Sequence, residues 1–256
     1  ETVDSTNNEV KRRALAGAAD GLAVVAEQQT GGRGRRGRSF VSPAGQGLYL
    51  SVLLRPRCPL EEVSALTAWT AVAVCNAVER VCGVRPGIKW PNDVILDGRK
   101  LCGILTELEL EAETAALRHV VVGVGINLTQ IAADFGPEVA PVAVSLAQAL
   151  GRAPRRAEMA AAVLVALDEL YAAFPAERAA WLERYRADCL TLGRTVRLLR
   201  AGRRRPLPRR WTIPSPWWCA APTAAGRRCP PARCPSGDCW GMCDLQKRGT
   251  CPALFT

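Results

Sequence analysis

Short apolar runs at Ile88–Trp90, Val94–Leu96, Leu101–Leu110 and Val120–Leu128 follow one another with no helical stretch between them. Asp97–Gly98 has the composition of a tight hairpin turn. Parallel strands need crossovers of a dozen or more residues, so this order does not fit a regular parallel winding. Two earlier runs, Leu22–Glu27 and Gly47–Leu54, suit buried strands. From Leu60 to Val81 apolar residues recur at helical spacing and stop at Gly83, a helix-terminating signal. Ser5 and Thr6 are placed to cap a helix through Lys11–Ala18, and two or three helices follow near Val144–Leu150, Ala157–Phe174 and Ala176–Cys189. The expected class is α+β, a mixed β-sheet backed by helices.

With 48% hydrophobic residues in a chain of 256, a sizeable core is available and disorder of the whole chain is excluded. No charge-free run reaches the roughly 18 residues of a membrane span. The first residues show no basic-then-apolar leader, so the expected location is the cytoplasm. The formal net charge of +10 suggests a nucleic-acid partner until its distribution is read. Residues 1–193 carry 21 Lys+Arg against 22 Asp+Glu, whereas residues 194–256 carry 13 against 2. The shorter segment also holds 9 of the 18 prolines and 6 of the 11 cysteines. Two regions are therefore expected, a folded domain at 1–190 and a different C-terminal region at 191–256.

Three clusters in the first region have the composition of a binding site. Gly31-Gly32-Arg33-Gly34-Arg35-Arg36-Gly37-Arg38 alternates arginines with glycines. Glycines let backbone N–H groups approach phosphate oxygens, and guanidinium groups add bidentate bonds. The same composition also suits an RGG-like RNA contact or a solvated loop. It is not a Walker loop, because G-x-x-x-x-G-K-[ST] is missing. Next come Lys89-Trp90-Pro91-Asn92-Asp93 and Arg99-Lys100-Leu101-Cys102-Gly103-Ile104-Leu105-Thr106-Glu107. Asn92 and Asp93 follow a strand, where they either bind a ligand at the sheet edge or build an Asx turn. Lys100 opens the return strand, as an anchor for phosphoryl or carboxylate oxygens or as a solvated surface lysine. The third cluster, Gly123-Val124-Gly125-Ile126-Asn127, allows close approach of a ligand or of another piece of backbone.

Taken with Asp4-Ser5-Thr6-Asn7 and Glu27-Gln28-Gln29-Thr30, these clusters resemble, in order and spacing over about residues 1–190, the bacterial biotin protein ligases. The resemblance implies a class II synthetase-like catalytic domain followed by a small SH3-like β-barrel. It implies ATP-dependent activation of biotin to biotinyl-5'-AMP, with Mg²⁺, and transfer to a lysine of a biotin carboxyl carrier protein domain of a carboxylase. By residue, it implies that Lys100 and Arg35 are catalytic and that Ser5, Thr6, Asn7, Gln29, Gly32, Arg33, Arg35 and Lys100 bind biotin. Arg38, Phe40, Asn92, Gly103 and Asn127 are implied on the ATP side, with no protein-held metal. Phe40 stands where the family usually has Trp, and stacking on adenine would persist with a smaller face. The matching segment starts at residue 1 with no helix-turn-helix ahead of it, so DNA binding is not expected, and the protein is expected to be a monomer or homodimer.

Other readings explain less. A lipoate-type acyl ligase shares the domain, but the His-containing pocket motifs of those enzymes are missing. A nucleic-acid-binding protein using the Gly/Arg loop and basic tail leaves Lys-Trp-Pro-Asn-Asp and Gly-Ile-Asn unexplained. His119, the only histidine, sits at the start of an apolar run as a structural or surface residue, and no G-x-S-x-G motif supplies a nucleophile for it. Cys75 and Cys82 read as core residues of the long helix.

Thr195–Leu199 opens a plausible barrel strand, and after about Arg200 the strand pattern dissolves into Arg, Pro, Trp and Cys. Cys229, Cys234, Cys239 and Cys243 lack the C-x-x-C pairs of a zinc site. A shifted reading frame accounts for this composition. Trp is encoded only by TGG, so Trp217-Trp218 read one base earlier gives Leu or Val followed by valines. GC-rich codons for Trp211–Asp244 in that frame yield alternating strands, an Asp-Gly turn and a stop. The barrel is thus expected to be disrupted after about residue 200, which would weaken activity.

Overall fold

The computed structural model describes residues 1–197 and 210–212. The described residues gather into one compact unit. The elements, in chain order, are β1 (Thr2–Val3), α1 (Thr6–Leu15), β2 (Ala23–Ala26), β3 (Gln28–Gln29), β4 (Gly47–Leu54), α2 (Leu60–Val63), α3 (Leu66–Cys82), β5 (Gly87–Lys89) and β6 (Asp93–Leu96). They continue with β7 (Arg99–Leu110), β8 (Leu117–Asn127), α4 (Ala132–Phe135), α5 (Leu146–Leu150), α6 (Arg156–Ala173), α7 (Arg178–Asp188), β9 (Thr195–Arg197) and β10 (Arg210–Thr212).

The α+β class holds, and the pairing is more uniform than expected. Six strands form one sheet in the order β2-β4-β8-β7-β6-β5, antiparallel at every step. Among the described residues, parallel pairing is confined to the short β1–β3 ladder and isolated bridges. The reason is connection length: Asp97 and Gly98, both at positive φ, close the β6–β7 hairpin, and no helix separates β5 from β8. The sheet buries both faces. On one face α3 and α6 pack together against the strands, with Thr67 Oγ1 donating to Thr106 Oγ1 at 2.9 Å. On the other, α1 covers Val24, Leu53 and Val121 with Val10 and Ala14.

Two helices depart from the expected spans for local reasons. α1 begins at Thr6, because Gln29 Oε1 accepts from the Thr6 N–H and takes over the capping role expected of Ser5, whose hydroxyl makes no cap bond. It ends in a Schellman turn at Gly17, with Ala18 N bonded to Arg13 O and Gly17 N to Ala14 O. The expected helix over 60–81 divides into α2 and α3 where Ser64 Oγ donates to Glu61 O at 2.8 Å, competing for that carbonyl. The end of α7 is tied to the sheet edge by Leu190 N, which donates to Ile88 O. Beyond it β9 and β10 pair antiparallel, Thr195 opposite Thr212. The rest of the expected barrel, the cysteine run and the altered-frame segment lie outside the described residues, apart from β10.

Candidate active site

Three segments far apart in sequence meet on one face of the sheet. The start of α1 brings Ser5, Thr6 and Asn7, none more than 4% exposed. Gln29 Oε1 accepts from Thr6 N at 2.9 Å and Thr6 Oγ1 at 3.1 Å, and its Nε2 donates to Ser42 Oγ at 2.8 Å. Ser51 Oγ donates to Asn7 Oδ1 at 2.6 Å and lies 2.7 Å from Thr6 Oγ1. Thr6, Asn7, Gln29, Ser42 and Ser51 give this end neutral polar groups with donors and acceptors interleaved, backed at Asn7 by the ion-paired carboxylate of Glu107. This end suits a neutral, amide-like ligand group.

The other end is cationic. Lys100 Nζ lies 2.7 Å from Asp93 Oδ1. Its backbone is fixed on both sides, Lys100 N donating to Val142 O at 2.7 Å and Lys100 O accepting from Val144 N at 2.9 Å. Arg35 Nη1 donates to Asn92 Oδ1 at 3.2 Å, and Asn92 Nδ2 donates to Ile104 O at 3.1 Å. Burial, then the charge of Arg36, pushes the Arg35 guanidinium below its usual pKa, while Asp93 pulls the other way. An anion arriving here would relieve that crowding of positive charge.

The arginine loop is folded in this structure. Gly34 N donates to Arg38 O, Phe40 N to Gly32 O, and a single 3-10 turn spans Arg35–Gly37 with Arg36 at φ 57°. Glycine is required at position 32, where a Cβ would fall 2.2 Å from Phe40 O and 2.6 Å from Ser42 Oγ. The returning strand lays Phe40 across Gly103 and Gly125, which face each other on β7 and β8. The cavity that remains is about 50 Å³. Small-molecule sites run to roughly 300 Å³ or more, so a substrate enters only when the loop and the ring shift.

Ten of the residues singled out in the sequence line this pocket: Ser5, Thr6, Asn7, Gln29, Arg33, Arg35, Phe40, Asn92, Lys100 and Gly103. Gly32 lies just behind them, under Phe40. Arg38 is exposed, and it serves the loop through its backbone, its carbonyl accepting from Gly34 N and its N–H donating to Arg35 O. Asn127 is buried beside the pocket, its Nδ2 donating to Val144 O at 3.1 Å and more weakly to Lys100 O at 3.4 Å, where it steadies the lysine's backbone. Ser42, Ser51 and Glu107 were not anticipated. Strand alternation carried a signal for Glu107, since it shares a face of β7 with Gly103 and Leu105. Nothing local marked the two serines. Among the described residues no three His, Cys, Asp or Glu side chains gather as a metal site. His119 is buried, and burial pushes the Cys75 and Cys102 thiols up, so none of these is a prepared nucleophile.

The site is thus a lysine-bearing polar pocket under an arginine loop, beside α1 on the sheet face opposite α3 and α6. The sequence signature of the biotin/lipoate A/B protein ligase family matches residues 1–127. The chain is 37% identical over 199 residues to the biotin–[acetyl-CoA-carboxylase] ligase of Mycobacterium tuberculosis, covering 76% of this chain and 71% of that one. It is 39% identical over 171 residues to the bifunctional ligase/repressor BirA of Bacillus spizizenii, covering 67% of this chain. It spans about half the length of that relative, 52%. Its fold matches the Aquifex aeolicus biotin protein ligase in complex with biotin and ATP, with a TM-score of 0.66 and 32% identity over 79% of this chain and 82% of that one. The chain belongs to the biotin/lipoate A/B protein ligase family. Among the described residues, no helix is long and apolar enough to cross a membrane.

Proposed function

We propose that this chain is the catalytic part of a biotin protein ligase, joining biotin to ATP and then to a lysine of a biotin carboxyl carrier protein domain. The observation that carries this reading is the pocket's two-ended polarity: a neutral hydrogen-bonding end at Thr6, Asn7 and Gln29, and a cationic end at Lys100 and Arg35. Biotin has a neutral ureido ring and a carboxylate at opposite ends. The relatives named as biotin ligases, and the relative bound to biotin and ATP, support the same substrates.

In the first step the biotin carboxylate attacks the α-phosphate of ATP and pyrophosphate leaves. Two anions must approach, so Lys100, on a backbone fixed from both sides, offsets their repulsion and the charge that builds on the phosphoryl oxygens. Asn92 and Gly103 stand toward the nucleotide, with Asn127 behind, and Phe40 moves off its glycines to stack on adenine. Magnesium would arrive with the nucleotide and share the phosphate charge, since among the described residues no group of His, Cys, Asp or Glu side chains gathers to hold an ion of its own. In the second step the carrier lysine attacks the acyl carbon of the mixed anhydride and AMP leaves. Loop closure through Gly32, Arg33 and Arg35, with Arg38 at its exposed end, keeps water from the anhydride.

The lipoate alternative lacks supporting residues in this pocket. The nucleic-acid alternative leaves the pairing of Arg33 with Glu107 and of Arg35 with Asn92 beside the pocket unexplained. A cytoplasmic location, and a monomer or homodimer, complete the proposal. We also assign the catalytic domain to 1–190 and read the tail after about residue 200 as frame-altered.

The test is incubation with biotin, ATP, Mg²⁺ and a carrier domain, read by streptavidin blot. Lys100→Met is expected to abolish adenylate formation. Arg35→Gly is expected to release the adenylate and label bystander lysines. Unchanged adenylate retention in Arg35→Gly would overturn the loop's role, and a Lys100→Met protein as active as the parent would overturn the lysine's.

A further inference from the structure

Glu107 closes the pocket face of β7, two residues beyond Leu105, and has no part in the chemistry above. Its carboxylate collects three donor side chains from two segments. Lys11 Nζ reaches Oε1 at 2.7 Å and Asn7 Nδ2 reaches Oε2 at 2.9 Å, both from α1. From the arginine loop, Arg33 Nη2 lies 3.0 Å from Oε1 and Arg33 Nη1 donates to Oε2 at 3.2 Å. The same Arg33 nitrogen donates to Asn8 Oδ1 at 2.9 Å.

We propose that Glu107 is a positioning residue that latches the arginine loop shut and, through Asn7, fixes the hydrogen-bonding face the pocket presents when shut. The proposal rests on the ligase reading for its catalytic consequence, not for the latch itself. The carboxylate is a prepared receptor. Its side chain is only 16% exposed and already held by Lys11 and Asn7, so Arg33 docks on an ordered group. Burial pushes the carboxyl up, but the bonds from Lys11 and Asn7 and the charges of Lys11 and Arg33 outweigh it and keep it below its usual value. With the loop open, Glu107 and Lys11 form a neutral pair. With the loop shut, Arg33 adds a net positive charge beside the pocket, and Arg35 arrives on Asn92 in the same movement. An anionic ligand therefore favours the latched state.

The link to the pocket floor runs through one amide. Glu107 and Leu105 O both take the Asn7 Nδ2 group, which leaves Oδ1 turned toward Ser51. The amide lies so close to β8 that a Cβ at Gly123 would stand 2.1 Å from Oδ1. Replacing the carboxylate by an amide removes the charge and permits Asn7 to turn over.

The experiment compares Glu107→Gln, Arg33→Gln and Lys11→Met in the full chain. Trypsin cleavage at the loop arginines of the ligand-free protein is expected to quicken about tenfold or more in Glu107→Gln and Arg33→Gln, the effect of losing a charged, two-toothed contact. Lys11→Met leaves Arg33 its carboxylate but removes one of the two groups that hold it, so its loop should be cut at a rate between the parent's and that of the latch variants. Combining Glu107→Gln with Arg33→Gln should add little, as expected for two halves of one contact. With biotin and ATP, the latch variants should raise the KM for biotin and release adenylate about tenfold faster while kcat for adenylation stays within about twofold, a split that general loosening of the fold would not give. Parent-rate cleavage in both latch variants overturns the proposal, and Arg33→Gln keeps the test open should Glu107→Gln fold poorly. If the loop opens as expected but no variant or parent forms adenylate, the latch stands and the ligase reading fails.

Discussion

Phe40 packs directly against the sheet because the two residues beneath it have no side chains. A Cβ at Gly125 would come 2.7 Å from the ring, and one at Gly103 3.3 Å. In the sequence the G-x-G of β8 allowed either a ligand or backbone packing, and in this state the close neighbour is the chain's own aromatic ring. His119 illustrates a different single-residue constraint. It is 2% exposed, opposite Glu109 on β7, and neither ring nitrogen has a hydrogen-bond partner. Burial first, then the charges of Arg55, Arg118 and Lys11, lower its pKa below 6.5 against the pull of Glu109. The unfolded chain therefore takes up a proton at a higher pH than the folded one. Stability is full at neutral pH and falls as the pH drops below about 6.5, until the folded histidine also titrates. His119→Leu is expected to flatten that part of the curve, which a series of melting temperatures from pH 7.5 to 5 would show. An equal decline in parent and variant would assign the acid sensitivity to other groups.

Between elements, the helical layer is fastened by aromatic contacts that bring together residues distant in sequence. Trp69 of α3 stacks on Trp181 of α7 at 5.3 Å between centroids and meets Phe174, just past α6, edge-on at 5.0 Å. Trp69 is 1% exposed. Trp69→Ala should cost about 3–5 kcal/mol, the range for a buried aromatic truncated to a methyl, seen as a lower urea midpoint with little change in slope. A loss under about 1 kcal/mol would mean that the layer collapses into the space. The existence of α3, α6 and α7 was legible from apolar spacing, and the hairpins from Asp97–Gly98. Their partners were not, because the period of a helix fixes which face is buried and says nothing of what covers it. The site was legible for a related reason. Its glycines, arginines and lysine are unusual in local sequence, whereas Ser42 and Ser51 are ordinary until the β3–β4 connection brings Ser42 to Gln29 and the sheet sets Ser51 of β4 against Asn7.

For the whole chain, the charge that first suggested nucleic acid divides between two different regions. In residues 1–193 the basic and acidic side chains nearly cancel, and the site's cations are held: Arg33 on Glu107, Arg35 on Asn92, Lys100 on Asp93. The surplus of 13 basic over 2 acidic residues belongs to positions 194–256. If those codons are read out of frame, the positive charge is an accident of the frame and has no counterpart in the function. The full chain should then be retained on heparin at low salt and eluted as salt rises, the signature of counterion release by a basic segment. A gene with a single-base correction near codon 200 should yield a protein that passes through heparin yet retains its loop protection and gains activity in the biotinylation assay. Equal retention of both proteins would place the polyanion-binding surface in the first region, and would reopen the case for the arginine loop as its source.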